Sequence, residues 1–194
     1  MVVLLVSLNA VNAESTPTET PAKMSDDELA VVGKLNVWRE MFSATGRGER
    51  FEIDRYPQLF LSADRADRML TFDQYVPEWA ATQIDGVDGY RAVWNQDVNE
   101  SFPGWTIEKL VVLDVQVDGD LAWSAVNYWG SGVRDGERYK GGQHGTHIWV
   151  DVDPGPNRDW RMRHEHLTAI NVYGDGARIY DETPKPQPQQ SSTK

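Results

Sequence analysis

The chain has 194 residues, of which 40% are hydrophobic and 25% charged, which fits one globular domain with terminal tails. It contains no cysteine, which excludes disulfides, cysteine-ligated metal centres and thiol nucleophiles. The net charge of -11 argues against a nucleic-acid partner, because phosphate binding needs a basic surface.

The two ends of the chain differ in composition from its middle. Residues 1–13 combine a short apolar run with small residues, as in a secretory signal peptide, but lack a basic residue before the run. No segment is long and apolar enough to span a bilayer, so we predict a secreted or periplasmic protein that is not membrane-embedded. Residues 14–24 are predicted to be a disordered linker and residues 171–194 a largely disordered Pro/Gln/Ser-rich tail. Residues 25–170 remain as the folded domain.

Helical patterns dominate the first half of this domain. A capping-box pattern at residues 25–28 begins a long helix, whose apolar residues keep helical spacing as far as Phe42. Residues 85–88 are predicted to open a second helix with one apolar side. Between the two, the sequence predicts a short helix at residues 56–63 and a short strand at residues 68–73.

Strand patterns dominate the second half, because the apolar period changes from 3.6 to 2 after Pro103. Four strands joined by turns are predicted, at residues 106–117, 121–131, 139–152 and 160–170. Helices followed by an antiparallel meander indicate an α+β fold, with the helices packed on one face of a curved sheet.

Four segments carry a resemblance to a known family: GVDGYRAVW (86–94), VDGDLA (117–122), GTHIW (145–149) and WRMRHEHLT (160–168). By their order and spacing, the chain resembles the SnoaL-like group of the nuclear transport factor 2-like superfamily. The resemblance implies N-terminal helices packed in a strongly curved, mostly antiparallel sheet, which forms a conical α+β barrel around a pocket and is often a homodimer. It implies no particular activity, because the superfamily includes isomerases, dehydratases, cyclases and non-catalytic assembly domains.

The last two predicted strands supply the candidate site. If the numbers of paired residues sum to about 311, Trp149 faces Met162 and His147 faces His164. One face of the sheet then carries His147, Trp149, Met162, His164 and His166. The opposite face, which is predicted to meet solvent or a second subunit, carries Arg161, Arg163 and Glu165.

Histidine exchanges protons near pH 7, so the predicted catalytic residues are His147, His164 and His166. The pocket for a small, largely apolar ligand is predicted to be shaped by Trp94, Tyr128, Trp149 and Met162. Asp64, Asp73 and Asp114 are the candidate carboxylate partners. The enzyme hypothesis is cofactor-independent acid–base catalysis of the isomerase or dehydratase type. The alternative is a non-catalytic ligand-binding or dimerisation module, in which the same residues fill the cone.

A metal site is the weaker alternative for the three histidines. Two histidines on one strand and a third on its neighbour can ligate zinc and leave a position open for water. Such spacing also arises in a pocket that holds no metal, so we predict neither a metal nor any other cofactor.

Overall fold

The computed structural model describes residues 23–62, 64–73, 82–134, 136–153, 155 and 158–169. The predicted signal peptide, nearly all of the linker and the C-terminal tail lie outside these residues. Among the described helices, none is long and apolar enough to cross a membrane.

Both long helices lie where the sequence predicts them. Helix α1 spans Asp26–Phe42, and its capping box is complete: Ser25 Oγ accepts the Glu28 N–H at 3.2 Å, and the Glu28 carboxylate accepts the Ser25 N–H at 2.6 Å. Helix α2 spans Gly86–Ser101. Each helix buries one side, and the buried residues of α1 are Val31, Leu35, Trp38, Met41 and Phe42.

The segment between α1 and the sheet is irregular, with single 3-10 turns at Thr45–Arg47, Ile53–Arg55, Pro57–Leu59 and Ala66–Arg68. The helix predicted at residues 56–63 is therefore reduced to one turn. The helix ends at Phe60, whose backbone is extended and forms a β-bridge with Met162 of the sheet.

Six strands form one sheet: β1 Leu70–Asp73, β2 Thr82–Asp85, β3 Thr106–Asp118, β4 Leu121–Arg134, β5 Glu137–Asp151 and β6 Trp160–Ala169. Their order is β2-β1-β6-β5-β4-β3, and every pair is antiparallel except β1 beside β6. The predicted α+β fold is confirmed as two helices on a curved sheet that is not closed, with β2 and β3 at its edges. Strand β2 is not predicted by the sequence.

The register between β5 and β6 is interrupted by a β-bulge. Trp149 pairs with Met162 as predicted, but Ile148 pairs with His164, so Arg163 is an extra residue on β6. One extra residue sends every later side chain of the strand to the opposite face. His147 therefore faces Glu165 rather than His164.

The bulge overturns the predicted distribution of side chains along β6. Glu165 is fully buried on the inner face, whereas the prediction placed it on the outer face. His164 and His166 pair with outward-facing positions, so they do not share a face with His147. On the outside they flank the ring of Phe72, at centroid distances of 5.9 and 6.2 Å.

The core lies between the two helices and the inner face of the sheet. The Trp38 indole is central, because its ring contacts Phe42, Tyr128 and His147 at centroid distances of 4.9 to 5.4 Å. Close backbone approach also shapes the sheet. A Cβ atom at Gly130 would lie 2.5 Å from the carbonyl oxygen of Thr106.

Candidate functional site

A polar cluster lies buried in the centre of the core, which we call the inner cluster: Trp38, Tyr90, Ser124, His147, Trp149 and Glu165. Its centre is the Glu165 carboxylate, whose Oε1 accepts the Trp38 Nε1–H at 2.7 Å. The Nε2 atom of His147 lies 3.4 Å from the same oxygen. A charge buried without partners costs several kcal/mol, so these two neighbours are what allow Glu165 to lie inside.

The other end of His147 is oriented by Ser124. The Ser124 hydroxyl oxygen accepts the Trp149 Nε1–H at 3.1 Å and lies 3.4 Å from His147 Nδ1. Because that oxygen is already an acceptor, its own proton is free to point toward Nδ1. Tyr90 closes the cluster on the α2 side, and burial together with the negative charge of Glu165 raises its pKa well above the ordinary value.

A second polar group lies nearer the surface, where Asp73 of β1, Asp97 of α2 and Gln143 of β5 meet. Asp73 is 1% exposed, and its Oδ1 accepts the Gln143 Nε2–H at 3.2 Å. Burial raises the pKa of the Asp73 carboxyl to about 8, and the charges of Glu165 and Asp97 add to this effect, while the hydrogen bond from Gln143 opposes it. Asp73 therefore carries its proton through most of the neutral range.

Two cavities adjoin this group. The larger has a volume of about 390 Å³ and is lined by Asp73, Ile84, Val93, Trp94, Gln96, Asp97, Glu100 and Ser101. The smaller, about 40 Å³, is mostly apolar and is lined by Phe42, Trp94, Val98, Phe102, Trp105, Tyr128, Gln143 and Leu167. Trp94 belongs to both walls, and its buried Nε1–H has no hydrogen-bond partner among the described residues. An apolar chamber with a few polar groups is the usual form of a ligand site.

The predicted pocket residues divide into two groups. Trp94 and Tyr128 lie on cavity walls, as a ligand-binding role requires. Trp149 and Met162 are fully buried in the core and line neither cavity.

The predicted catalytic histidines do not come together. His147 belongs to the inner cluster and is completely enclosed, while His164 and His166 lie on the outer face. Partial burial lowers the pKa of His164. Across the described ranges, no group of three potential ligand side chains could hold a metal ion.

Of the three candidate carboxylates, Asp73 alone lies at a cavity, because Asp64 and Asp114 are exposed. Asp97 was missed, although the sequence holds a signal for it. It is seven residues after Tyr90 and three after Trp94, a spacing that places it on the apolar side of α2. Glu165 was also missed, and no local pattern indicates the bulge that turns it inward.

Comparisons with other proteins identify the fold. No protein-family model and no curated protein sequence matches this chain. Among solved structures, a nuclear transport factor 2-like superfamily protein from Salmonella enterica matches with a TM-score of 0.57 and 15% identity, over 78% of this chain and 96% of that one. A conserved protein from Planctomyces limnophilus matches with a TM-score of 0.55 and 11% identity, over 74% and 98%. The CaMKII hub of S. rosetta matches with a TM-score of 0.51 and 19% identity, over 76% and 99%.

These likenesses show the fold of the protein. The chain has the nuclear transport factor 2-like fold, which confirms the fold expected from the sequence resemblance. Identities this low establish the architecture and leave the chemistry to be argued from the site.

Proposed function

We propose that this chain is a ligand-binding domain that carries out cofactor-independent acid–base chemistry on a small, largely apolar molecule, with Asp73 as the proton-transfer group. The observation that carries the proposal is a nearly completely buried carboxyl in the wall of a cavity of about 390 Å³. The apolar side chains of Ile84, Val93 and Trp94 in the same wall suit the body of such a ligand.

Asp73 suits proton transfer better than the three histidines because it alone among them reaches the larger cavity. A carboxyl whose pKa lies near the working pH can both give and accept a proton. Gln143 donates to one carboxyl oxygen of Asp73 and so fixes the orientation of the carboxyl group. In this proposal His147 positions and balances the charge of Glu165 and does not contact the ligand.

Ligand binding is tested with uncharged cyclic ketones, followed through the indole ¹H–¹⁵N resonance of Trp94, which Trp94→Phe identifies. We expect a bound ketone to move that resonance, because Trp94 lines both cavities. If no ketone moves it at millimolar concentration, the cavity is not a ligand pocket of this kind.

Proton transfer is tested by deuterium incorporation next to the ketone carbonyl in D₂O. Asp73→Asn keeps the shape of the side chain and removes the transferable proton, so it should abolish incorporation. Asp64→Asn, at an exposed aspartate, is the matched control and should keep it. Equal incorporation in both variants would refute the role of Asp73 and favour a non-catalytic binding module.

A second function, homodimerisation, is favoured by one specific observation. The outer face of the sheet exposes large apolar side chains on neighbouring strands, with Leu121 54%, Trp123 39% and Ile148 40% exposed. We propose that a second copy of the chain covers this face. Sedimentation equilibrium should show a dimer that Ile148→Glu dissociates, and a monomeric wild-type protein at high micromolar concentration would refute it.

A further inference from the structure

We propose that the outer face of the sheet recognises a second copy of the chain in one orientation, in which strand β3 of each copy lies over strand β6 of the other. The inference rests on the homodimer proposed above. It adds the position of the two-fold axis and the charged contacts that select this orientation, and it does not depend on the cavity or on Asp73.

The apolar part of this face lies on its two middle strands. Leu121 and Trp123 of β4 pair with Val150 and Ile148 of β5, so the four side chains form two neighbouring rows. Three of them are exposed and Val150 is half-buried. Strands β3 and β6 flank this pair, one on each side. An apolar centre between more polar margins is the usual arrangement of a protein–protein interface.

The two flanking strands carry opposite charges. On β3, Asp114, Gln116 and Asp118 alternate along the outer face and are exposed. On β6, Arg163 is partly exposed at the bulge. In the part of the chain that the structure describes, the side chains of Asp118 and Arg163 form no hydrogen bond or ion pair. Arg161, the other arginine of β6, is already held by an ion pair within the chain. Asp118 and Arg163 are therefore available to a second copy.

The order of the strands relates these charges to the symmetry of a dimer. Neighbouring strands are about 4.8 Å apart, so β3 and β6 each lie about 7 Å from the midline between β4 and β5. Sheets that pack face to face with aligned strands have their two-fold axis either along the strands or across them. An axis along the midline places β3 over β6 of the other copy. An axis across the strands places β3 over β3, where like charges repel.

The same axis also matches the contacts along the strands. Through β4 and β5, the pairing places Asp118 in one row with Arg161, and Arg163 follows two residues later on β6. Rotation about an axis along the strands keeps the rows in place. Asp118 therefore lies within about 7 Å of Arg163 of the second copy along the strand direction, which an arginine side chain can span. In the centre, Trp123 lies over Ile148 of the second copy. A two-fold interface makes each contact twice.

The experiment reverses one charge at a time, with Asp118→Lys and Arg163→Glu. Sedimentation equilibrium at low ionic strength measures the Kd of the dimer. Each variant alone should raise the Kd at least about tenfold, because the substitution acts twice in a dimer. An equimolar mixture should restore the wild-type Kd, since the two reversed charges then face each other and so do the two native ones. Native mass spectrometry should show the heterodimer as the main dimer.

Asp64→Lys is the matched control. It makes the same change in net charge at an exposed aspartate outside the strands, so it should not weaken the dimer. The chain carries a net charge of -11, so reduced repulsion alone would make Asp118→Lys associate more tightly. The proposed contact predicts the opposite result. About 0.5 M NaCl should bring the reversed variants close to wild type, because salt screens exposed charges. If Arg163→Glu does not fold, Asp118→Lys tests the contact by itself.

The outcomes separate this orientation from the homodimer itself. If Ile148→Glu dissociates the dimer while both charge reversals leave its Kd unchanged, the face is the interface and the orientation is wrong. A mixture that associates no more tightly than either variant alone also overturns the orientation. A wild-type protein that stays monomeric, or a dimer that Ile148→Glu leaves intact, refutes both proposals.

Discussion

The burial of Asp73 predicts an unusual dependence of stability on pH. Its carboxyl has a pKa of about 8 in the folded protein, against 3.8 for an ordinary aspartate. Between these two values the unfolded chain has lost the proton that the folded chain keeps. Rising pH therefore favours the unfolded state, and this contribution to stability is lost progressively from about pH 4 to pH 8.

The size of the effect follows from the same two values. Within this window each pH unit lowers the free energy of unfolding by about 1.4 kcal/mol. The ionisation of Asp73 should therefore lower it by about 3 kcal/mol between pH 5 and pH 7. Asp73→Asn removes the ionisation and keeps an oxygen that can accept the Gln143 amide. From pH 5 to pH 7, the free energy of unfolding of the variant should therefore rise by about 3 kcal/mol relative to that of wild type.

Urea denaturation of both proteins at pH 5, 6 and 7 measures this difference, and the comparison cancels the titration of groups that do not interact with Asp73. Asp64→Asn is the control. The hydrogen bond from Ser62 lowers the pKa of exposed Asp64, so that side chain is ionised in both states throughout this range. Its effect on stability should not change with pH. If the difference for Asp73→Asn also stays constant, Asp73 is ionised in the folded protein and the proton-transfer argument is wrong.

Three further predictions concern the core and are measured by urea denaturation at pH 6. Trp38→Phe removes the donor to buried Glu165 and should cost about 2–4 kcal/mol. A loss below about 0.5 kcal/mol would mean that the Trp38–Glu165 bond contributes nothing. His147→Ala should destabilise the protein by about 2–4 kcal/mol, because it removes the imidazole between Glu165 and Ser124 and leaves a cavity in the core. A larger loss in His166→Ala would contradict the bulged register. Gly130→Ala should cost about 1–3 kcal/mol, because the added methyl group clashes with the Thr106 carbonyl. The control is Gly33→Ala, in open space on α1, which should stabilise the helix by up to about 1 kcal/mol. A stabilising Gly130→Ala would show that β3 and β4 are farther apart than described.

Structure encoded by neighbouring residues was predictable from the sequence. The capping box at Ser25 and Glu28 determines where α1 begins, and the change of apolar period determines where the sheet begins. The order of helices and strands was enough to indicate the α+β fold, and the pairing of Trp149 with Met162 followed from the short loop between β5 and β6. Each of these features depends on residues close together in the chain.

The identity of the site was decided by tertiary structure. The bulge at Arg163 exchanges the faces of Glu165 and the two outer histidines. The Glu165 carboxylate can lie inside because α1 brings the Trp38 N–H to it and β5 brings His147. Asp73 and Asp97 meet at one cavity because β1 pairs in parallel with β6 while α2 packs against β1 and β2. Alternation along a strand determines which residues share a face only as far as the next β-bulge, where one extra residue is inserted. The position of that bulge depends on the partners that distant segments provide.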